Sequence, residues 1–363
     1  MSVDETLEEY PLTVQRVQII DLGEGLLLKR GRTVVKIDGT DAAAVVQSIL
    51  DFVADGGATR REICELFAAP DRPSIESLVQ ALEERRILAP PSRGAERPGD
   101  EPLDIFCWHF GKTAHEVARN LNAARIVILG VNCISRQLAT ALAASGLGRV
   151  TVVDYPLLGN VRLFNDDGTI RGEEWPAVLD PPIAYQEWLG ATGPGGVGCL
   201  VATSDFGGQQ LLRSWNEHCV REGVQFLPVI LQDLVGYVGP LVIPKESACL
   251  ECLRARENAN MDEPDVRRAP EHAAYEGQVV NAFHPSMASV LGDLAAIELL
   301  KFHGQLMRSR IIGRQIEVNL VAPQLVERRV LKLPGCTVCG PATVRSPVSQ
   351  DKRAFVPGHE IAR

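Results

Sequence analysis

The sequence predicts an α/β chain in two parts: a winged-helix-like module of three strands and three helices, then a doubly wound α/β domain with a four-cysteine zinc site. Three observations predict this. Two CxxC pairs, Cys249-Leu-Glu-Cys252 and Cys336-Thr-Val-Cys339, stand far apart in the chain. Short buried-type apolar runs alternate with helical patterns beyond residue 104. Residues 89–103, rich in Pro, Gly and charge, separate that region from a differently patterned front part. The expected division is a module over 1–88, a linker over 89–103, the α/β domain over 104–341 and a tail over 342–363.

The front part opens with three β-rich runs, Arg16–Asp21, Gly25–Lys29 and Arg32–Asp38, broken at Gly23-Glu24-Gly25 and Arg30-Gly31-Arg32. Such breaks suit hairpin turns. Three helices are predicted next. In the first, Val45, Ile49 and Phe52 share a face and Gly56-Gly57 stops the helix. The second opens on Thr59-Arg-Arg-Glu62, a capping box in which hydroxyl and carboxylate satisfy orphan backbone N–H groups. The third runs from Ser74 to about Ile87, with Ile75, Leu78 and Leu82 on one stripe.

Past the linker, Arg125–Leu129 and Arg149–Asp154 read as buried strands around a helix over Ser135–Ser145. Cys199–Thr203 and Gln225–Ile230 continue the series, which predicts a largely parallel sheet. The apolar helix over Pro285–Phe302 is expected to cover it.

Bulk properties exclude several functions. The chain has 363 residues, 45% hydrophobic and 23% charged, with a net charge of −9. A nucleic-acid or anionic-membrane binder needs a basic surface, so neither partner is expected. Residues 1–95 hold 11 Lys+Arg against 16 Asp+Glu, which argues against major-groove DNA reading by the front module. The acidic start lacks a signal-peptide pattern, and no apolar run spans a bilayer. Nine cysteines, four in metal-type pairs, fit a reducing compartment. A cytoplasmic protein is expected.

Cys249, Cys252, Cys336 and Cys339 are the expected zinc ligands, because each knuckle presents two sulfurs from one tight turn. Four thiolates fill the tetrahedron and leave no position for a catalytic water. The metal therefore points to architecture, and no catalytic residue is assigned.

The first strand–helix turn of the α/β domain is Gly130-Val-Asn-Cys-Ile-Ser135. Such turns normally carry G-x-G-x-x-G so that backbone N–H groups can approach phosphate; one glycine of three is present. This turn, the order of elements, Asp154, Asp205 and the paired knuckles together resemble the ThiF-type adenylating superfamily over roughly residues 105–340. The resemblance implies that Asp154 matches the ribose-binding carboxylate, Asp205 the residue that helps place Mg²⁺, and Asn160 and Arg162 the Asn and Arg between them. It also implies a dimer, since such domains often pair. The departures matter more. Active members use a lysine on the ATP phosphates, yet no Lys occurs between Lys112 and Lys245. Arg136 and Arg213 are partial substitutes at best. The vestigial nucleotide site would comprise Gly130, Asp154, Arg162 and Asp205, and no ATP is expected on this chain. Cys133, at a helix N-terminus, is the one thiol whose pKa should be lowered.

The front module has a second use. Thr33, Val34, Val35, Lys36 and Ile37 form a strand that can be a sheet edge, with Leu78, Leu82 and Arg85 on a helix that can form the wall of a groove. The Leu78/Leu82 stripe is equally consistent with core packing, and only exposure of one side of it would favour the groove. A peptide could then add as a strand, its alternate side chains entering pockets. This arrangement resembles the precursor-peptide recognition element of ribosomal peptide natural-product (RiPP) pathways. Fused to a degenerate ThiF-like domain, it resembles the Ocin-ThiF-like leader-peptide-binding partners of YcaO cyclodehydratases. The resemblance implies that this chain captures a precursor leader while a separate YcaO enzyme uses ATP to make thiazoline or oxazoline rings. The alternative is a ThiF-type adenylyltransferase acting on a peptide or small-protein carboxylate. The seven histidines, among them His109, His218, His272, His303 and His359, show no second metal spacing, and Cys64, Cys107, Cys199 and Cys219 read as small core residues.

Overall fold

A computed structural model describes residues 10–90, 99–191, 193, 196–263, 266, 269–270, 273 and 282–340. The expected tail, His272 and His359 lie outside the described residues. The chain forms two compact units, 1–116 and 117–363.

In the first unit, β2 (Gln18–Asp21), β3 (Gly25–Arg30) and β4 (Thr33–Asp38) form an antiparallel sheet in that order, while β1 (Thr13–Val14) pairs with β5 (Leu88–Ala89). Ala89, assigned to the linker, thus closes a small ladder against Thr13. Gly31, at φ 56°, supplies the two-residue turn between β3 and β4. Helices α1 (Ala42–Ala54), α2 (Arg60–Glu65) and α3 (Arg72–Glu84) share one hydrophobic core with this sheet, α1 packing on β1 and β3 and α3 on β5, and α4 (Pro102–His109) follows. The capping box forms as expected: Glu62 N–H donates to Thr59 Oγ1, and Thr59 N–H to Glu62 Oε2.

Two stripes differ from expectation. In α1 the buried face is Ala42, Val46, Ile49, Leu50 and Val53, while Phe52 is exposed and Val45 only half-buried. Apolar residues at 42–46 and 49–53 permit two adjoining faces, and packing on β1 and β3 selects one. In α3 the buried residues are Ile75, Val79 and Leu82, with Leu78 half-buried. The helix ends at Glu84, short of Ile87, because Arg86 turns left-handed at φ 58° and Ile87 N–H bonds back to Leu82 O.

Helix α5 (Ala114–Ala123) leads into the second unit, whose strands are β6 (Ile126–Leu129), β7 (Thr151–Asp154), β8 (Ile183–Ala184), β9 (Cys199–Ser204), β10 (Gln225–Gln232), β11 (Val235–Val238), β12 (Arg314–Asn319) and β13 (Gln324–Arg329). They form one sheet in the order β13-β12-β11-β10-β9-β6-β7-β8, parallel from β10 to β8 and antiparallel from β10 to β13. Strand β6 is fully buried, as its continuous apolar run predicts. Helices α6 (Cys133–Ala144), α7 (Tyr185–Ala191), α8 (Gln209–Glu222), α9 (Leu250–Ala259) and α10 (Pro285–His303) accompany the sheet. Helix α10 lies on α6, β10 and β11. A Cβ on Gly292 would stand 2.9 Å from Ile134 O, so the two helices cross in near contact. Among the described residues no helix is long and apolar enough to cross a membrane.

Candidate functional site

Strand β6 has β7 on one side and β9 on the other, so the chain switches direction there. In parallel sheets the crevice at such a point, past the carboxyl ends of the strands, is where ligands bind. Gly130, Asp154 and Asp205 all sit at these strand ends, as the sequence places them. Gly130 takes φ 98°, and a Cβ there would meet Leu158 Cβ at 2.8 Å and Thr203 O at 3.0 Å. Only glycine fits this turn.

The remaining positions of the turn are filled by the chain itself. Asn132 is fully buried and caps α6. Its Oδ1 accepts from Ile134 N–H at 3.1 Å and Ser135 N–H at 3.0 Å, and its Nδ2 donates to Leu158 O and Thr203 O at 3.0 Å each. Ser135 Oγ accepts from Asn132 N–H at 2.9 Å. Asp205, 2% exposed, accepts from Cys133 N–H at 3.1 Å and from Asn160 Nδ2 at 2.8 Å. A helix N-terminus attracts anions through its unpaired N–H groups and its dipole. Here a side-chain amide and an internal carboxylate occupy those groups.

The electrostatics follow. Burial pushes the Asp205 carboxyl up, against the opposing pull of the Asn160 and Cys133 donors. Burial alone raises Asp154, whose Oδ1 has no hydrogen-bond partner among the described residues. The expectation for Cys133 is overturned: burial, then the Asp205 charge, drive its thiol up to about 11. The helix end cannot lower it, because Asp205 already holds the Cys133 N–H.

Arg162 is exposed, and only its backbone joins the cluster, through Asn160 Oδ1 at 3.0 Å. The two arginines considered as phosphate ligands are engaged elsewhere. Arg136 pairs with Glu174 at 2.7 Å, and Arg213 with Glu251 at 2.8 Å.

The knuckles converge. Cys249 Sγ lies 3.9 Å from Cys252 Sγ and 3.7 Å from Cys336 Sγ, and Cys252 Sγ lies 3.4 Å from Cys339 Sγ. All four sulfurs fall within 4.8 Å of one another. Tetrahedral thiolates around Zn²⁺ at about 2.3 Å have sulfur–sulfur edges of about 3.8 Å, so the four cysteines fit a closed four-sulfur metal site. Leu333 N–H points at Cys252 Sγ from 3.4 Å, the kind of outer contact that steadies a thiolate ligand. Beside them Glu251 bridges Arg254 and Arg213. Burial opposes its ionisation, but the two guanidiniums hold its carboxyl below the usual range.

In the first unit, Thr33, Val34 and Arg85 line one cavity of about 430 Å³ together with Arg32, Glu84, Arg86, Trp108 and His109. Among the described residues no strand pairs with the outer edge of β4. Val34 is 46% exposed and Lys36 is exposed beside Asp38 at 2.6 Å. Val35, Ile37 and Leu78 instead pack against the module's core. Leu82 is a correction: at 0% exposed it is core and can touch no peptide. Sequence reasoning missed Trp108 and His109, since α4 reaches this cavity only by tertiary packing, and it missed Arg32 and Arg86, which flank the named Thr33 and Arg85 at chain turns.

No protein-family profile matches the chain. It is 22% identical over 249 residues to the protein HesA of Leptolyngbya boryana, covering 62% of this chain and 80% of that one. Among solved structures it is similar to E. coli MccB bound to MccA-N7isoASN, with TM-score 0.64, 17% identity, 91% of this chain and 100% of that chain covered. It is also similar to the heterocyclase TruD, TM-score 0.57 at 18% identity, and to a heterocyclase in complex with substrate and cofactor, TM-score 0.54 at 18% identity. It covers 43% and 40% of these two longer chains. These likenesses establish a mixed α/β fold with a large, mostly parallel sheet of the kind seen in MccB.

Proposed function

We infer that this chain is a non-catalytic leader-peptide-binding scaffold that captures a ribosomal precursor peptide and presents it to a separate YcaO-type, ATP-dependent cyclodehydratase. The observation that carries the reading is the outer edge of β4, unpaired among the described residues, beside a cavity of about 430 Å³ with room for peptide side chains. In a two-residue hairpin the closing pair, Arg30 and Thr33, exchanges hydrogen bonds; alternation then directs the main-chain groups of Val34 and Lys36 to the free edge. A peptide adding there gains main-chain bonds from these residues.

The closed N-terminus of α6 supports the non-catalytic half. A triphosphate would have to displace Asn132 or Asp205 from N–H groups that each already bonds. Zinc in the four-cysteine site acts structurally. MccB with its bound MccA peptide, and heterocyclases with substrate, support a place in RiPP maturation.

The test is binding of a candidate ribosomal precursor peptide, sought among the reading frames that neighbour this chain's gene, measured by calorimetry without nucleotide. Val34→Pro removes an outward N–H without touching the β3 pairing, and we expect it to weaken binding at least about tenfold. Equal affinity in both proteins sinks the reading. Peptide-dependent ATP–pyrophosphate exchange by the wild-type chain would establish the adenylyltransferase instead.

A further inference from the structure

The cavity beside β4 has a chemical bias that strand addition alone does not explain. Three guanidinium-bearing residues, Arg32, Arg85 and Arg86, line it against one carboxylate, Glu84. Glu84 is already engaged, accepting from Gln80 Nε2 at 3.2 Å. Arg86 is anchored: its left-handed backbone places its carbonyl 3.3 Å from Trp108 Nε1, and its Nη1 donates to His109 O at 3.2 Å. The guanidiniums of Arg32 and Arg85 have no partner among the described residues.

The wall behind them is rigid. Trp108 is 5% exposed, is held by that bond to Arg86, and carries the Arg30 guanidinium 5.0 Å above its ring. Arg30 is in turn fixed by Asp100 at 3.0 Å and by Arg16 O at 2.7 Å. Two uncommitted guanidiniums therefore stand at a preorganised cavity in a module that is otherwise net acidic. A guanidinium fork matches a carboxylate and gains a charge-assisted bond, whereas a polyanion such as RNA would be repelled by the module as a whole.

We propose that this cavity is a specificity pocket for one acidic side chain, Asp or Glu, of the incoming peptide, bound by Arg32 and Arg85 as the peptide pairs with Val34 and Lys36 of β4. The assignment rests on the strand-addition reading above and names the chemistry that the peptide must carry.

A random twelve-residue library, displayed through its C-terminus so that no free terminal carboxylate competes, is selected on the full-length protein. Selected peptides should share Asp or Glu at one position, and changing that residue to its amide should weaken binding about tenfold, as loss of a charge-assisted pair implies. On the Arg32→Glu/Arg85→Glu protein, whose exposed substitutions leave the core intact, the same position should favour Lys or Arg. If acid and amide peptides bind equally while Val34→Pro still abolishes binding, strand addition stands and the pocket assignment falls. If the acidic preference persists but Val34→Pro has no effect, strand addition falls and takes with it the pose proposed here. A library yielding no binder overturns both.

Discussion

Asn132 shows how much one side chain decides. Its oxygen caps α6 and its amide nitrogen ties the turn to Leu158 and Thr203, so two elements and a loop meet on one buried residue. Asn132→Ala leaves those groups unpaired, and we expect a loss of about 2–3 kcal/mol in urea unfolding; a change below about 0.5 kcal/mol would contradict this account of the turn. His303 gives a pH signature. Burial lowers its pKa from 6.5 to about 4. The unfolded chain therefore takes up the proton first as pH falls from about 6.5 to 4, and stability drops across that window by on the order of 3 kcal/mol. Denaturation midpoints at pH 7 and 4.5 should differ accordingly, and His303→Leu should flatten the difference.

Helix α3 and strand β4 divide the work of the front module by alternation. Along β4, exposed Val34 and Lys36 alternate with half-buried Thr33, Val35 and Ile37. A single strand thus turns one face to the core and leaves one edge unpaired among the described residues, where the proposed peptide would add. Helix α3 commits Ile75, Val79 and Leu82 inward, and of its residues only the last, Glu84, lines the cavity, together with Arg85 and Arg86 just past its end. Leu82→Ala should therefore cost about 2–5 kcal/mol of stability, while half-buried Leu78→Ala costs less than half as much. Equal losses, read from urea midpoints at unchanged slope, would show that the buried stripe has been misassigned.

At the scale of the whole molecule, the knuckles join segments that the sequence separates widely. Cys249 and Cys252 sit at the start of α9, while Cys336 and Cys339 follow β13, so a metal there closes a long stretch of chain. Structural zinc contributes folding free energy directly. We expect about one zinc per chain by elemental analysis, a lower melting temperature after chelation, and recovery on adding zinc back. Cys336→Ser should reproduce the chelated state. Metal-free protein with an unchanged melting curve would remove the zinc from this account.

Local pattern was enough for the strands β6, β7, β9 and β10, the Thr59 capping box and the paired cysteines, because each rests on residues adjacent in the chain. It was also enough to bring Gly130, Asp154 and Asp205 together, since parallel strands carry their carboxyl ends to one crevice. Local pattern put Ile49, Ile75 and Leu82 in the core correctly but centred the stripes of α1 and α3 slightly off: Phe52 is exposed, Val45 and Leu78 are only half-buried, and packing chose Val46 and Val79 instead. The filling of the α6 N-terminus by Asp205, and the arrival of Trp108 at the cavity lined by Arg32, Arg85 and Arg86, were decided by tertiary structure alone. Both join residues remote in sequence through contacts that leave no periodic trace.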